Sequence, residues 1–298
     1  MNPEIIGEAL LHSLIHSLLD TLKISLFLFV SYLLMELFEH HAGKKSENII
    51  KNSGRIGPLV GGLLGAVPQC GFSAAAAGLY SGRLITRGTL IAVFLATSDE
   101  MLPIMLSATA EGRVSPVTLL SILGVKVVGG IAVGFLIDLI TKENAQEAHV
   151  SKLCEHEGCN CEHDGIWLST LKHTAKVAIF VLLTTFIVTF GVELIGEDRL
   201  GSILHSLPVV GELAAALIGL IPNCAASVVI TELYIGGTIS AGQMLAGLFT
   251  GSGVGLLVLF RTNRSIRENL LLTGILYVCG VALGLLVGAT GLASLIGL

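Results

Sequence analysis

Between Pro58 and Gly82 the chain reads PLVGGLLGAVPQCGFSAAAAGLYSG, two apolar half-segments parted by Pro68-Gln69-Cys70-Gly71. Each half is too short to cross about 30 Å of hydrocarbon as a helix, and the Pro/Gly break frees backbone groups that need partners. Such a stretch fits a re-entrant helical hairpin. A second copy, from Glu212 to Gly237, is centred on Pro222-Asn223-Cys224. One ungapped offset of 154 residues sets Pro68 on Pro222, Cys70 on Cys224, Ser73 on Ser227 and Tyr80 on Tyr234. The same offset pairs Gly88 with Gly242, Ser98 with Ser252, Gly130 with Gly284 and Gly134 with Gly288. A fixed offset held over that distance predicts an internal duplication.

The chain has 298 residues, 53% of them hydrophobic and 13% charged, which excludes an ordinary soluble domain and predicts an all-α polytopic membrane protein. No cleavable signal pattern opens it, so the first apolar run is expected to remain as a helix. Six stretches are long enough to span, at about 10–38, 85–108, 116–140, 168–194, 239–260 and 269–292. One hairpin falls between the first and second, the other between the fourth and fifth, which makes ten helical segments. With both termini outside, twelve Lys and Arg residues fall in cytoplasmic loops, and only Arg113 and Arg199 lie external. That bias predicts a plasma (bacterial-type inner) membrane protein with a cytoplasmic middle loop.

Three full crossings per copy send the two copies into the membrane from opposite sides, the inverted-repeat plan of many secondary transporters. The expected units are a first transmembrane repeat at 1–140, a cytoplasmic acidic linker rich in His and Cys at 141–167, and a second repeat at 168–298. Cys70 and Cys224 should then meet near the midplane, at the starts of half-helices near Gly71 and Ala225. Irregular backbone at that depth is tolerable only when buried in protein or lining a wet cavity.

The hairpin tips are the first candidates for chemistry. Gln69, Ser73, Asn223 and Ser227 offer neutral polar groups there, and Cys70 and Cys224 offer soft sulfur ligands. Thr97-Ser98-Asp99-Glu100 interrupts the second span, its mate Gly251-Ser252-Gly253-Val254 carries no charge, and Thr97, Ser98 and Ser252 are expected to touch the substrate together with the tips. Asp99 and Glu100 at this depth suit metal ligation or a coupling proton, if the backbone opens locally beside Pro103. The bland alternative is a structural ion pair with Lys126 of the next span. Asp20 and Lys23 lie on one face of the first span, where they can neutralise each other or take part in coupling, and His12, His16 and Asp20 share a face at a spacing that suits metal ligation at the outer mouth. Cys154, Cys159 and Cys161, with His149, His156 and His163, lack the spacing of a structural zinc site. They fit either a loose collector of soft metal or a solvated linker.

Where the two Pro-polar-Cys breaks, the duplicated frame and the His/Cys-rich loop stand together, the chain resembles the ten-segment heavy-metal exporter family. That family is distantly similar to the P-type arsenic permeases, and some members are labelled as manganese transporters. The most specific stretches are Val67-Pro68-Gln69-Cys70-Gly71, Thr97-Ser98-Asp99-Glu100 and Ile221-Pro222-Asn223-Cys224. The resemblance implies efflux of a metal or metalloid ion across a lipid bilayer. Paired cysteines favour arsenite or a soft cation, and Asp99 with Glu100 favours manganese or another hard divalent ion. No Walker motif is present, which points to coupling to an ion gradient through Asp99 or Glu100. The expected protein is a non-enzymatic exporter without cofactor or nucleic-acid partner, and a homodimer is compatible with it. The alternative is a permease for a sulfur-containing or organic-anion solute held at the helix N-termini.

Overall fold

The computed structural model describes residues 56–67, 70–98, 100–141, 166–195 and 210–289, together with scattered helical residues between 10 and 33. The described residues are helical throughout apart from turns and connections. With the N-terminal helix as α1 (10–33), the first copy continues as α2 (Gly57–Gly65), α3 (Cys70–Ser81), α4 (Arg87–Ala96), α5 (Met101–Ala110) and α6 (Pro116–Thr141). The second copy comprises α7 (Ile166–Ile195), α8 (Val210–Gly219), α9 (Cys224–Ile235), α10 (Ala241–Thr250), α11 (Gly255–Thr262) and α12 (Ile266–Ala289). The bounds of α3 and α4 recur 154 residues on as those of α9 and α10.

Five stretches are long and apolar enough to cross a membrane, Arg87–Ala110, Pro116–Thr141, Thr170–Ile187, Ala241–Thr262 and Ile266–Ala289. They match five of the six expected spans, and the chain is a multi-pass membrane protein. Two of the five differ from expectation, because neither is a continuous helix. The first breaks at 97–100 between α4 and α5, where the sequence suggested a local opening. The second breaks at 251–254 between α10 and α11, where the uncharged Gly251-Ser252-Gly253 had given no such signal. Gly253 sits at φ 53°, a left-handed conformation that ends a helix and suits glycine.

Each copy is assembled by the close approach of small residues. Pro58 opens α2, where its missing N–H is no loss. The Thr86 hydroxyl caps α4 by accepting from the Thr89 amide at 3.1 Å, and Asp138 of α6 accepts from the Gly88 amide at 2.9 Å. Ser240 and Gln243 form a reciprocal capping box at the start of α10. Helix α4 lies against α6 where Gly88 faces Gly134, and α10 lies against α12 where Gly242 faces Gly284. Backbones meet there without intervening side chains, as in small-residue contacts between membrane helices. The outer faces carry Leu120, Leu139, Ile187, Leu270 and Val278 exposed, as a lipid-facing surface requires.

Gly61 and Gly65 of α2 face Thr89 and Val93 of α4 in order, so these helices are parallel and α2 ends level with the end of α4. Gly219 of α8 likewise faces Gly247 and Thr250, which puts the second tip level with the 251–254 break. The returning arms leave their own copy. Helix α3 packs on α11 and α9 packs on α5. A Cβ on Gly255 would lie 2.9 Å from that of Ser73, and at the opposite end Ser81 Oγ and Thr262 Oγ1 are 2.7 Å apart, so α3 and α11 are parallel.

The glycine contacts give a direct stability test. In Gly134→Ala the new Cβ would stand 2.6 Å from the Gly88 carbonyl oxygen. The change should lower stability by about 1–3 kcal/mol, read as the thermal unfolding midpoint of detergent-purified protein. Gly124→Ala, with nothing within 4 Å, should leave that midpoint unchanged or raise it.

Candidate functional site

Eight half-helix ends converge at one level of the molecule. Helices α2, α4, α8 and α10 end there, and α3, α5, α9 and α11 begin there. Ends of this kind leave orphan carbonyls and amides that cannot be surrendered to hydrocarbon. Most of the carbonyls are satisfied locally. Thr97 returns both its amide, at 2.9 Å, and its hydroxyl, at 2.8 Å, to the Val93 carbonyl, and Ser98 Oγ donates to Ala96 at 2.9 Å. Thr250 Oγ1 donates to the Ala216 carbonyl of α8 at 2.8 Å, which ties the second tip to its break.

A charged donor serves one of these ends. Lys126 of α6 is fully buried, and its ammonium donates to the Leu248 carbonyl in the last turn of α10. The same ammonium lies 5.4 Å from the centre of the Phe249 ring. Carbonyl, helix C-terminal dipole and aromatic face all favour the cation. Lys126 therefore joins α6 of the first copy to the broken helix of the second. Neither Leu248 nor Phe249 was singled out in the sequence, where both read as ordinary span residues.

The amide ends are less fully served. Asn223 caps α9 by accepting from the Ala225 amide at 3.4 Å. Neither Glu100 before α5 nor Val254 before α11 caps its helix with a side chain. Ser252 Oγ, in the second break, is buried and has no hydrogen-bond partner among the described residues. An orphan hydroxyl at this depth is an uncompensated cost, unless something outside the protein meets it.

Several of the residues expected to form the site do lie at this level. Thr97, Ser98 and Ser252 occupy the two breaks and are buried. Asn223 and Cys224 open α9 and are buried, and Ser73 is buried against Gly255. Ser227 is half-buried in the first turn of α9, where its hydroxyl donates to the Cys224 carbonyl at 2.8 Å. Glu100 is half-buried at the start of α5. Gln69, Asp99, His12, His16, Asp20, Lys23, His149, Cys154, His156, Cys159, Cys161 and His163 lie outside the described residues, as does the side chain of Cys70. Among the described residues, no three His, Cys, Asp or Glu side chains converge as a metal-binding group.

Residues 9–194, which span α1 to α7, match the sequence profile of a family described as "Putative, 10TM heavy-metal exporter". No curated protein and no solved structure matches the chain.

The Lys126 contact predicts a cost that a surface lysine would not show. Lys126→Met keeps most of the aliphatic stem but strips the donor from the Leu248 carbonyl. It should destabilise the protein by about 1–3 kcal/mol, measured as a fall in the unfolding midpoint, whereas Lys176→Met on α7 should change it little.

Proposed function

The chain belongs to this family of ten-segment heavy-metal exporters, and from that premise we propose that it is a secondary-active exporter of a heavy-metal or metalloid ion working by alternating access. The observation that carries the reading is the meeting of half-helix ends at the level of Ser252, whose buried hydroxyl has no partner among the described residues. Broken helices at the midplane are how membrane transporters present backbone dipoles and polar side chains to a solute. Membrane proteins otherwise avoid them, since each exposed backbone group is costly in lipid.

On this reading the two copies are inverted repeats. Support comes from α3 and α11, which run parallel to one another although α11 continues the path of α10 and α3 returns against α2. Arg83, Arg87, Arg261, Arg264 and Arg267 share the face where α3 and α11 end, which is therefore the cytoplasmic one. Residues 1–140 and 168–298 are the two repeats, and 141–167 is the cytoplasmic linker.

The substrate is held by Ser252, Ser73, Asn223 and Cys224 with Cys70, Gln69, Thr97 and Ser98, beside the positive dipole ends of α5 and α11. Asp99 and Glu100 carry the coupling proton. Lys126 holds the level of the break while its ammonium stays on Leu248. Cys224 with Cys70 favours a thiophilic species such as arsenite or cadmium, and a site resting on Asp99 and Glu100 favours manganese.

Proton-driven uptake of manganese, zinc, cadmium and arsenite into inside-out vesicles tests this reading. Ser252→Ala should leave the unfolding midpoint unchanged, since the hydroxyl has no hydrogen-bond partner among the described residues, yet lower uptake about tenfold. Loss with Cys224→Ser identifies a soft substrate, and loss with Asp99→Asn alone identifies a hard one. Uptake of none of the four, or uptake indifferent to all three substitutions, would overturn the midplane site.

A further inference from the structure

At the face where α3 and α11 end, one carboxylate ties the two copies together. Glu268, third residue of α12, accepts from Arg83 Nη1 at 2.9 Å and Nη2 at 2.8 Å, and from Arg87 Nη2 at 3.1 Å. The Tyr80 hydroxyl also donates to it, as does Asn263 Nδ2 at 3.2 Å. Tyr80, Arg83 and Arg87 belong to the first copy, and Asn263 and Glu268 to the second. Beside this cluster Ser81 and Thr262 join the last turns of α3 and α11. Hydrogen bonding to Glu268 pushes the Arg83 guanidinium further up from its already basic value, so the charges persist at any physiological pH.

Two observations set the cluster apart from an ordinary surface ion pair. It is one-sided, for the 154-residue offset turns Arg83, Arg87 and Glu268 into Gly237, Ala241 and Val114. Among the described residues the matching positions carry no such cluster between the copies, and the ion pair beside them, Arg113 with Glu111 at 2.7 Å, stays within one turn. The backbone is the second. Helices α3 and α9 end in the same turn, with Leu84 N on Leu79 O at 2.9 Å in one and Thr238 N on Leu233 O at 2.9 Å in the other. That turn needs a left-handed residue, a place usually taken by glycine. Gly237 fills it in the second copy at φ 71°, but Arg83 fills it in the first at φ 60°. A side chain is sterically disfavoured there, and the guanidinium it carries grips Glu268.

Helices α3 and α11 start at the midplane site and end at this cluster, so whatever holds their far ends together closes the path between them. We propose that Arg83, Arg87 and Glu268 form the gate that shuts the midplane site on this face and parts when the two copies move apart. The inference rests on the alternating-access reading above.

Two variants and a cross-link test it. In a chain whose other five cysteines are serine, Cys224 is alkylated with a membrane-impermeant maleimide added from either side. Glu268→Gln and Arg83→Gly should each speed alkylation from the Arg83 face about tenfold. Arg83→Gly also relieves the left-handed turn, so it should retain the fold even if Glu268→Gln does not. In the otherwise native chain, oxidation of the Ser81→Cys/Thr262→Cys pair should abolish metal uptake until the disulfide is reduced, and neither single variant should respond. Unchanged alkylation in a folded Arg83→Gly protein, or cross-linked protein transporting at its unlinked rate, would overturn the gate. If the native chain moves no metal, the transporter reading fails while the alkylation rates still decide whether the cluster closes this face.

Discussion

A helix that stops inside a bilayer must find partners for amides and carbonyls that water would otherwise satisfy, and this chain stops eight of them at one level. Much of the remaining architecture answers that demand. Glycine faces bring α4 onto α6 and α10 onto α12 closely enough for backbone to meet backbone. Thr97, Ser98 and Thr250 return hydroxyls to carbonyls in the broken turns, and Lys126 brings a full charge to Leu248. The starts of α5 and α11 have no side-chain cap, and the Ser252 hydroxyl has no partner among the described residues.

The two copies share a frame but not their chemistry. Lys126 in the first corresponds to Gly280 in the second, and Arg83 corresponds to Gly237. The fixed charges that bridge the copies are thus carried unequally, one at the midplane and a cluster at one face. A perfectly symmetric duplicate would have equal reason to open either way. On the reading proposed above, the Arg83–Arg87–Glu268 cluster biases which way the protein rests, with Arg83 held in the left-handed conformation that Gly237 takes at the matching position.

Much of this was legible in the sequence. Pro68 and Pro222 mark the hairpin tips because proline cannot continue a helix, and Cys70 and Cys224 open α3 and α9 within one residue of the expected starts. The break at 97–100 was legible because Asp99 and Glu100 are costly inside a span. Its partner at 251–254 was not, since Gly251-Ser252-Gly253-Val254 carries no charge, although Ser252 itself was expected to touch the substrate. The 154-residue offset that aligns Ser98 with Ser252 already held the signal. Ser227 was named from its place in the hairpin, and the bond from its hydroxyl to the Cys224 carbonyl is a local detail that the spacing did not carry. The crossing of α3 to α11 and the reach of Lys126 to Leu248 are tertiary facts with no local pattern, so neither could be read from spacing.

The central claim is that a metal or metalloid species occupies the level where the half-helices meet, against Cys224 and Ser252. The most direct measurement is the rate of Cys224 alkylation by a small permeant thiol reagent, with and without each metal species, in detergent-purified protein lacking its other cysteines. The account predicts saturable protection by the transported species, weakened by Ser252→Ala. An alkylation rate that no metal or metalloid changes would contradict it.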